Sequence, residues 1–346
     1  MELNFSVAIS GYYGYHNLGD QLILKHLLTG FQKHFPGIKL NVFVKTPYNE
    51  KKTAFKKINF INRYNPWAIF KNLLTSRILI MGGGSIIQDI TGFFTIYYYI
   101  LLMIVAKCLD CKVVIFNQGI GPVKNPVNRY LVKLVFSLTD LIIVRDNRSK
   151  KLLNALLPDK EIILGADLIF FHQLSRKNKA NRNICSFSVR KWKSHNIKKF
   201  VKQAAAVLDK RGWKCFNIVF QPGSDEIINC KFLKNIYWNK PDDITRYLKK
   251  SDFLVGMRLH SLMLGAKLNI PMLGIVYDPK VNVFCKYMSI PRVRVDTLKT
   301  EDIVKSVLNY TNSHPDYTDK IKILKSRLDL SWRKLENFMR TVSLES

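Results

Sequence analysis

Arg258 and His260 stand two residues apart in DFLVGMRLHS, where the apolar Phe253, Leu254 and Val255 read as a strand and a helix is expected from about Ser261. A permanent cation and an imidazole that titrates near neutrality would then meet at the carboxyl end of a strand, beside the positive end of a helix dipole. In open parallel sheets ligands bind at that end, and such a corner suits a small anion that must also receive a proton. The following strand ends in YDPK, which adds Tyr277, Asp278 and Lys280. A lone histidine is more often a hydrogen-bonded structural residue; the Arg-x-His spacing at a helix start favours chemistry. A second arginine, Arg190, closes the strand of SFSVRKW with Trp192 just beyond. Its planar fork pairs with carboxylate or phosphate in a way lysine cannot reproduce. Alone it reads as a surface charge, and it gains meaning only by converging on Arg258.

Two glycine-rich turns lie in the first half, GYYGYHNLGD and MGGGSIIQD. Glycine permits left-handed backbone and close approach, so that successive N–H groups at Gly83 and Gly84 can converge on an anion or a sugar hydroxyl. Neither turn is a dinucleotide fingerprint or a P-loop, whose lysine is missing. Asn17, Asp20 and Asp89 either meet hydroxyls there or cap helices, Asp20 being placed to cap the run Leu24, Leu27, Leu28, Phe31. In NQGIGP the glycines and Pro122 are accounted for by a sharp strand exit. Arg145 and Asp146 read as an ion pair in which Asp146 also caps the next helix, with a ligand contact for Arg145 as the alternative.

The elements that must carry these residues alternate. Strands are expected at Asn4 to Ser10, Leu40 to Val44, Ile78 to Met81, Lys112 to Phe116 and Leu141 to Val144, with helices between them and the basic stretch EKKTAFKKINFINR as surface connection. The pattern restarts at Ile184 to Val189, with a helix from about His195 to Asp209, a strand at Phe216 to Gln221, and Asp242 or Asp243 capping a short helix to Lys250. Such alternation argues parallel α/β sheets. The polar SRKNKANRN, Ser175 to Asn183, separates an N-terminal domain, residues 1–175, from a C-terminal domain, residues 183–346, which ends in a basic amphipathic helix over Asp319 to Phe338.

At 346 residues the chain suits two cores. Its 55 Lys+Arg against 25 Asp+Glu, a formal +30, calls for anionic partners: phosphorylated substrates, anionic lipid or nucleic acid, unless a Lys- and Asn-rich coding bias accounts for the excess. No nucleic-acid-binding signature is present, so no specific nucleic-acid partner is expected. The start MELNFSVAISG lacks the marks of a secretory signal, which with six scattered cysteines favours a reducing, cytoplasmic setting. Cys108 and Cys111 form an isolated CxxC without the ligands of a zinc site. No metal or cofactor is called for. The apolar Gly92 to Ala106 is shorter than the ~20 residues of a spanning helix and reads as a buried helix.

GYYGYHNLGDQLIL, MGGGSIIQD, NQGIGP, IIVRDNRS, GADLIF, SFSVR and VGMRLHSLMLGAKLNIPMLGIVYDPKV, in this order over about Ser10 to Phe284, resemble the polysaccharide pyruvyl transferase family. The resemblance implies a fold of two Rossmann-like domains similar to GT-B glycosyltransferases, with a cleft between them. It also implies transfer of pyruvate from phosphoenolpyruvate onto two hydroxyls of a sugar, giving a cyclic ketal. The family's phosphoenolpyruvate-binding arginines fall on Arg190 and Arg258 and its catalytic histidine on His260. The chain departs at Gln21, where members often carry an acidic residue. The partners expected are phosphoenolpyruvate and a sugar or lipid-linked saccharide, with peripheral contact to an anionic membrane; the alternative is a GT-B glycosyltransferase using a nucleotide sugar. The Lys- and Asn-rich composition suits an A+T-rich genome, bacterial or plastid, the latter placing the enzyme in the stroma.

Overall fold

A computed structural model describes residues 5–46, 57–89, 93–171, 182–192, 196–310 and 316–345. The chain forms two compact units, Met1–Tyr15, Asp20–Phe171 and Ile323–Ser346 in the first, His16–Gly19 and His172–Lys322 in the second. Each unit is built on one wholly parallel sheet.

In the first unit, strands β1 (Ser6–Ser10), β2 (Lys39–Val44), β3 (Ile58–Asn62), β4 (Ser76–Gly82), β5 (Lys112–Gln118), β6 (Leu141–Val144) and β7 (Ile163–Leu164) lie in the order β3-β2-β1-β4-β5-β6-β7. Helices α2 (Pro66–Leu74), α3 (Phe93–Cys108), α4 (Pro126–Ser137) and α5 (Asn147–Leu156) cover one face. There Leu79, Met81, Val113 and Ile115 join Leu73, Tyr99, Met103 and Phe136 in one core. Strands buried on both faces need apolar residues at successive positions, and β4 supplies Ile78, Leu79, Ile80 and Met81.

Helix α1 (Leu18–His34) and the C-terminal α11 (Thr318–Leu344) also contribute to this unit. The latter corrects the expected division, which gave the whole C-terminal helix to the second domain. From Ile323 onward α11 belongs to the first unit because Trp332, fully buried, packs edge-on to Phe31 at 5.6 Å and to Phe116 at 4.8 Å. Gly30 makes the space, since a Cβ there would fall 2.0 Å from the indole. The expected linker at Ser175–Asn183 lies almost entirely outside the described residues.

The second unit repeats the plan. Strands β8 (Ile184–Ser188), β9 (Lys214–Ile218), β10 (Leu233–Ile236), β11 (Phe253–Gly256), β12 (Met272–Val276) and β13 (Arg292–Arg294) lie in the order β10-β9-β8-β11-β12-β13. Helices α6 (Ile197–Asp209), α7 (Pro241–Leu248), α8 (Leu259–Lys267), α9 (Pro279–Met288) and α10 (Thr300–Leu308) connect them. The second sheet has the doubly wound Rossmann order, and the first has it with a seventh strand added. In such an order the chain leaves the first strand of the unit toward one edge and later returns toward the other. The switch point therefore lies between β1 and β4 in one sheet and between β8 and β11 in the other.

Among the elements that depart from the sequence reading are two edge strands. The basic stretch taken as connection contains β3, an edge strand whose Asn59 and Asn62 interrupt the apolar pattern, and β10 was not foreseen because LKNI carries two polar residues in four. Among the described residues no helix is long and apolar enough to cross a membrane.

Candidate functional site

Strands β8 and β11 pair in parallel with Ser188 opposite Gly256, and Met257 N–H donates to Ser188 O at 2.8 Å. Arg190 and Arg258 each follow their strand by two residues, so both leave the sheet at its carboxyl end, one on either side of the switch point. The convergence that gives Arg190 its meaning is thus imposed by the register. His260 lies in the first turn of α8, for which Arg258 is the N-cap residue with extended backbone, φ −78° and ψ 130°.

The two arginines are held differently. Arg258 donates from Nε to Asp225 Oδ1 at 2.7 Å, from Nη2 to the same oxygen, and from Nη2 to Gln221 Oε1 at 3.3 Å. Asp225 is buried, and its Oδ2 accepts from the N–H groups of Phe220 at 2.7 Å and Gln221 at 3.0 Å. A buried carboxylate held at both oxygens aims the guanidinium, leaving Nη1 without a hydrogen bond among the described residues. Asp225 also bridges Arg190 through the backbone, which ties both arginines to one turn. Arg190 pairs with no carboxylate among the described residues. Its guanidinium lies over Tyr277 at 5.2 Å and Trp192 at 5.9 Å, Nη1 reaches Tyr277 Oη at 3.4 Å, and its buried Nε lacks a hydrogen-bond partner among the described residues. A buried cationic donor left unmet costs about 1–3 kcal/mol or more, a deficit that an anion would remove.

His260 is placed by a glycine. His16–Gly19 belongs to the second unit, where Leu18 N–H donates to Phe220 O at 3.0 Å. A Cβ on Gly19 would sit 2.0 Å from His260 Nδ1. The glycine loop therefore supplies close approach to an imidazole as well as a turn. Beside Tyr277 opens a groove of about 700 Å³ whose lining includes Trp192, Lys286, Arg292 and Arg294.

The sequence profile of the polysaccharide pyruvyl transferase family matches residues 17–279, a span that holds Arg190, Asp225, Arg258 and His260. The chain belongs to that family. No curated protein matches it in sequence. Its fold is that of solved GT-B-like structures at low identity. A UDP-N-acetylglucosamine 2-epimerase from Listeria monocytogenes has a TM-score of 0.62 at 10% identity, covering 100% of this chain and 98% of the other. A glycosyltransferase from Rickettsia africae has 0.61 at 12%, covering 99% and 100%. The Methanocaldococcus jannaschii UDP-GlcNAc 2-epimerase, solved with UDP-GlcNAc and UDP, has 0.61 at 10%, covering 94% and 98%. Family and fold make this pyruvyl transferase relative a GT-B-like transferase acting on sugars.

The other sequence-predicted residues take varied places. Asn17 accepts from Gly19 N–H at 3.3 Å, so the turn into α1, assigned in sequence to Asp20, is made by Asn17. Asp20 lies buried in the first turn of α1, and a Cβ on Gly84 would fall 3.1 Å from its Oδ1. Gly83 and Gly84 adopt φ of +61° and +72°, as the turn after β4 requires, but the Gly83 N–H is spent on Phe116 O at 3.0 Å. Asp89 uses Oδ2 to hold the N–H groups of Lys124 at 2.7 Å and Asn125 at 2.8 Å, just before α4, whose cap is Asn125 itself. Lys280 pairs at 3.7 Å with Asp278, which caps α9. Arg145 is buried between Asp167 at 3.2 Å and Asp146 at 3.3 Å, and Asp146 caps α5, as the ion-pair reading has it.

The first unit holds a group that sequence reasoning missed. Arg63, buried, donates Nη1 to Gly11 O at 2.9 Å and to Tyr99 Oη at 3.1 Å and lies 4.3 Å from the Tyr98 ring centroid. Tyr12 stacks on Tyr15 at 4.0 Å, and Tyr15 shares a 2.6 Å hydrogen bond with Tyr64. Burial and the nearby Asp20 push the Tyr12 and Tyr13 hydroxyls above their ordinary value, so they remain neutral donors. The one sequence signal was the tyrosine density of GYYGY and IYYYI.

Proposed function

We propose that the protein transfers pyruvate from phosphoenolpyruvate onto a sugar of a cell-surface polysaccharide or its precursor, forming a cyclic ketal. The observation that carries this reading is Arg190, a half-buried arginine whose buried Nε has no hydrogen-bond partner and which pairs with no carboxylate among the described residues, beside an Arg258 already aimed by Asp225. Phosphoenolpyruvate offers a carboxylate and a phosphate to two such forks. His260 protonates the methylene carbon, which becomes a methyl group, while positive charge builds at the neighbouring carbon. A sugar hydroxyl adds there, phosphate departs with the C–O electron pair, and a second hydroxyl closes the ring. Each hydroxyl gives up its proton; one restores His260 and the other is released. The hydroxyls and aromatic faces of Tyr12, Tyr15 and Tyr64 suit the sugar. We place the reaction in the cytoplasm, peripheral to the membrane that carries the acceptor.

Incubation with phosphoenolpyruvate and a panel of hexose and N-acetylhexosamine acceptors tests this, reading phosphate by ³¹P NMR and the ketal methyl by ¹H NMR. Folded protein that releases no phosphate with any of them refutes the reading. A second reading, a glycosyltransferase using a nucleotide sugar, is favoured by the fold likenesses, one of which was solved with UDP. Thermal stabilisation by UDP but not by phosphoenolpyruvate would select it.

A further inference from the structure

The helical layer over one face of the first sheet carries an apolar surface that packing does not use. On α2, Trp67 (72% exposed), Phe70 and Leu74 recur at helical spacing on the side opposite the buried Ile69 and Leu73, and Trp67 stacks on Phe70 at 5.8 Å. On α4, Val127, Tyr130 (66% exposed) and Leu134, with Leu138 at the C-cap, do the same opposite Val132, Val135 and Phe136. Between these in the chain runs α3, which packs beside α4 and exposes Leu101. Because α2, α3 and α4 bury their inner sides in one core against one sheet face, their outer sides look the same way. Isolated exposed apolar residues are ordinary; stripes on neighbouring helices of one layer are not.

The charge on this layer has one sign. None of the three helices contains an Asp or Glu. Lys107 is paired with Asp140 at 3.0 Å, whereas Lys71, Arg129 and Lys133 are exposed and make no ion pair among the described residues. Arg129 and Lys133 flank Tyr130 and Leu134 on α4. An aromatic and aliphatic face with cations at its margin and no acid on its helices matches the boundary between acyl chains and anionic headgroups. A layer of this kind would lie on that boundary rather than cross it, since among the described residues no helix is long and apolar enough to span a membrane.

We infer that the outer faces of α2 and α4 dock the first unit onto an anionic phospholipid surface, Trp67 and Tyr130 entering the headgroup region and Arg129 and Lys133 meeting the lipid charge. The inference is independent of which group the enzyme transfers. The test mixes full-length protein with vesicles of phosphatidylcholine alone or with phosphatidylglycerol, including lipids brominated on the acyl chain. Phosphatidylglycerol vesicles should sediment the protein, and brominated lipid should quench a fluorescence component that disappears in Trp67→Phe. Tyr130→Ser/Leu134→Ser should lower the partition coefficient at least about tenfold, as should Arg129→Glu/Lys133→Glu. Because the chain is strongly basic, adsorption without insertion is the competing outcome: sedimentation with no Trp67 quenching, lost entirely at about 1 M salt, overturns the proposal. So does a lipid-free dimer that Tyr130→Ser/Leu134→Ser converts to monomer, which would give the face to a second copy of the chain.

Discussion

Replacing Gly19 by alanine isolates the placement of His260 from every direct contact with substrate. The added Cβ would stand 2.0 Å from Nδ1 and 2.6 Å from Cγ of the imidazole. Nonbonded heavy atoms settle at about 3.5 Å, so the ring must retreat by about 1.5 Å. A misplacement of about 1 Å at a reacting centre costs on the order of 100-fold, so kcat for phosphate release from phosphoenolpyruvate should fall by about that factor or more. Stability should move little, because alanine favours the helix by up to about 1 kcal/mol and the ring, not the backbone, absorbs the clash. The assay pairs single-turnover phosphate release with NMR of ring-labelled histidine, in which the His260 signals should shift. Turnover within about threefold of the parent, with those signals unmoved, would refute the claim that Gly19 positions the proton donor.

Further outcomes follow from other contacts. Asp225→Asn leaves the Arg258 charge uncompensated in a buried site, a loss of about 3–5 kcal/mol that calorimetry should register as a fall of about 10 °C in melting temperature. Arg190→Lys keeps the charge but loses the fork over Tyr277, so KM for phosphoenolpyruvate should rise about tenfold with a smaller change in kcat. Trp332→Ala should cost about 3–5 kcal/mol in urea unfolding and loosen amide exchange in β5 and α1 rather than in β8 or β11, since its ring packs on Phe31 and Phe116. Burial raises the Asp146 carboxyl, but Arg145 and the Ser149 N–H and hydroxyl outweigh it and hold it below its ordinary value. Its contribution is therefore present above the unfolded carboxyl value of about 3.9 and is lost as pH falls through the depressed folded value; Asp146→Asn should remove that part of the acid sensitivity measured by thermal melts.

The alternation of strands and helices was legible because parallel strands buried on both faces need continuous apolar runs, and β4, β5, β6 and β11 each contain one. Strands at the other edge were not: β3 and β10 lie outermost, where Asn59, Asn62 and Lys234 are tolerated, and they read as loop. The site was legible as two strand-end arginines and a histidine, since a strand end is a local feature. Its support was not. Asp225 meets Arg258 across 33 residues, and nothing in PGSDE marks that carboxylate as buried. Arg63 was hidden within a basic run that lies against tyrosines of two other segments. The fate of α11 was equally non-local: its amphipathic period predicts a helix, but only the notch at Gly30 decides which core receives Trp332.

The two units apply one strand order to two kinds of chemistry. At the switch point of the first, the loops after β1 and β4 carry glycines, neutral tyrosine hydroxyls and a buried Asp20, and Arg63 is turned toward Tyr98, Tyr99 and the Gly11 carbonyl. Its hydrogen-bonding capacity is that of a polyol site. At the switch point of the second, two arginines and an imidazole stand where the strands end, and the acid among them, Asp225, is committed to Arg258 and two backbone N–H groups. Its surplus is positive. A doubly wound sheet can furnish either, because the switch point fixes only where the loops meet. The residues on those loops decide what is bound there.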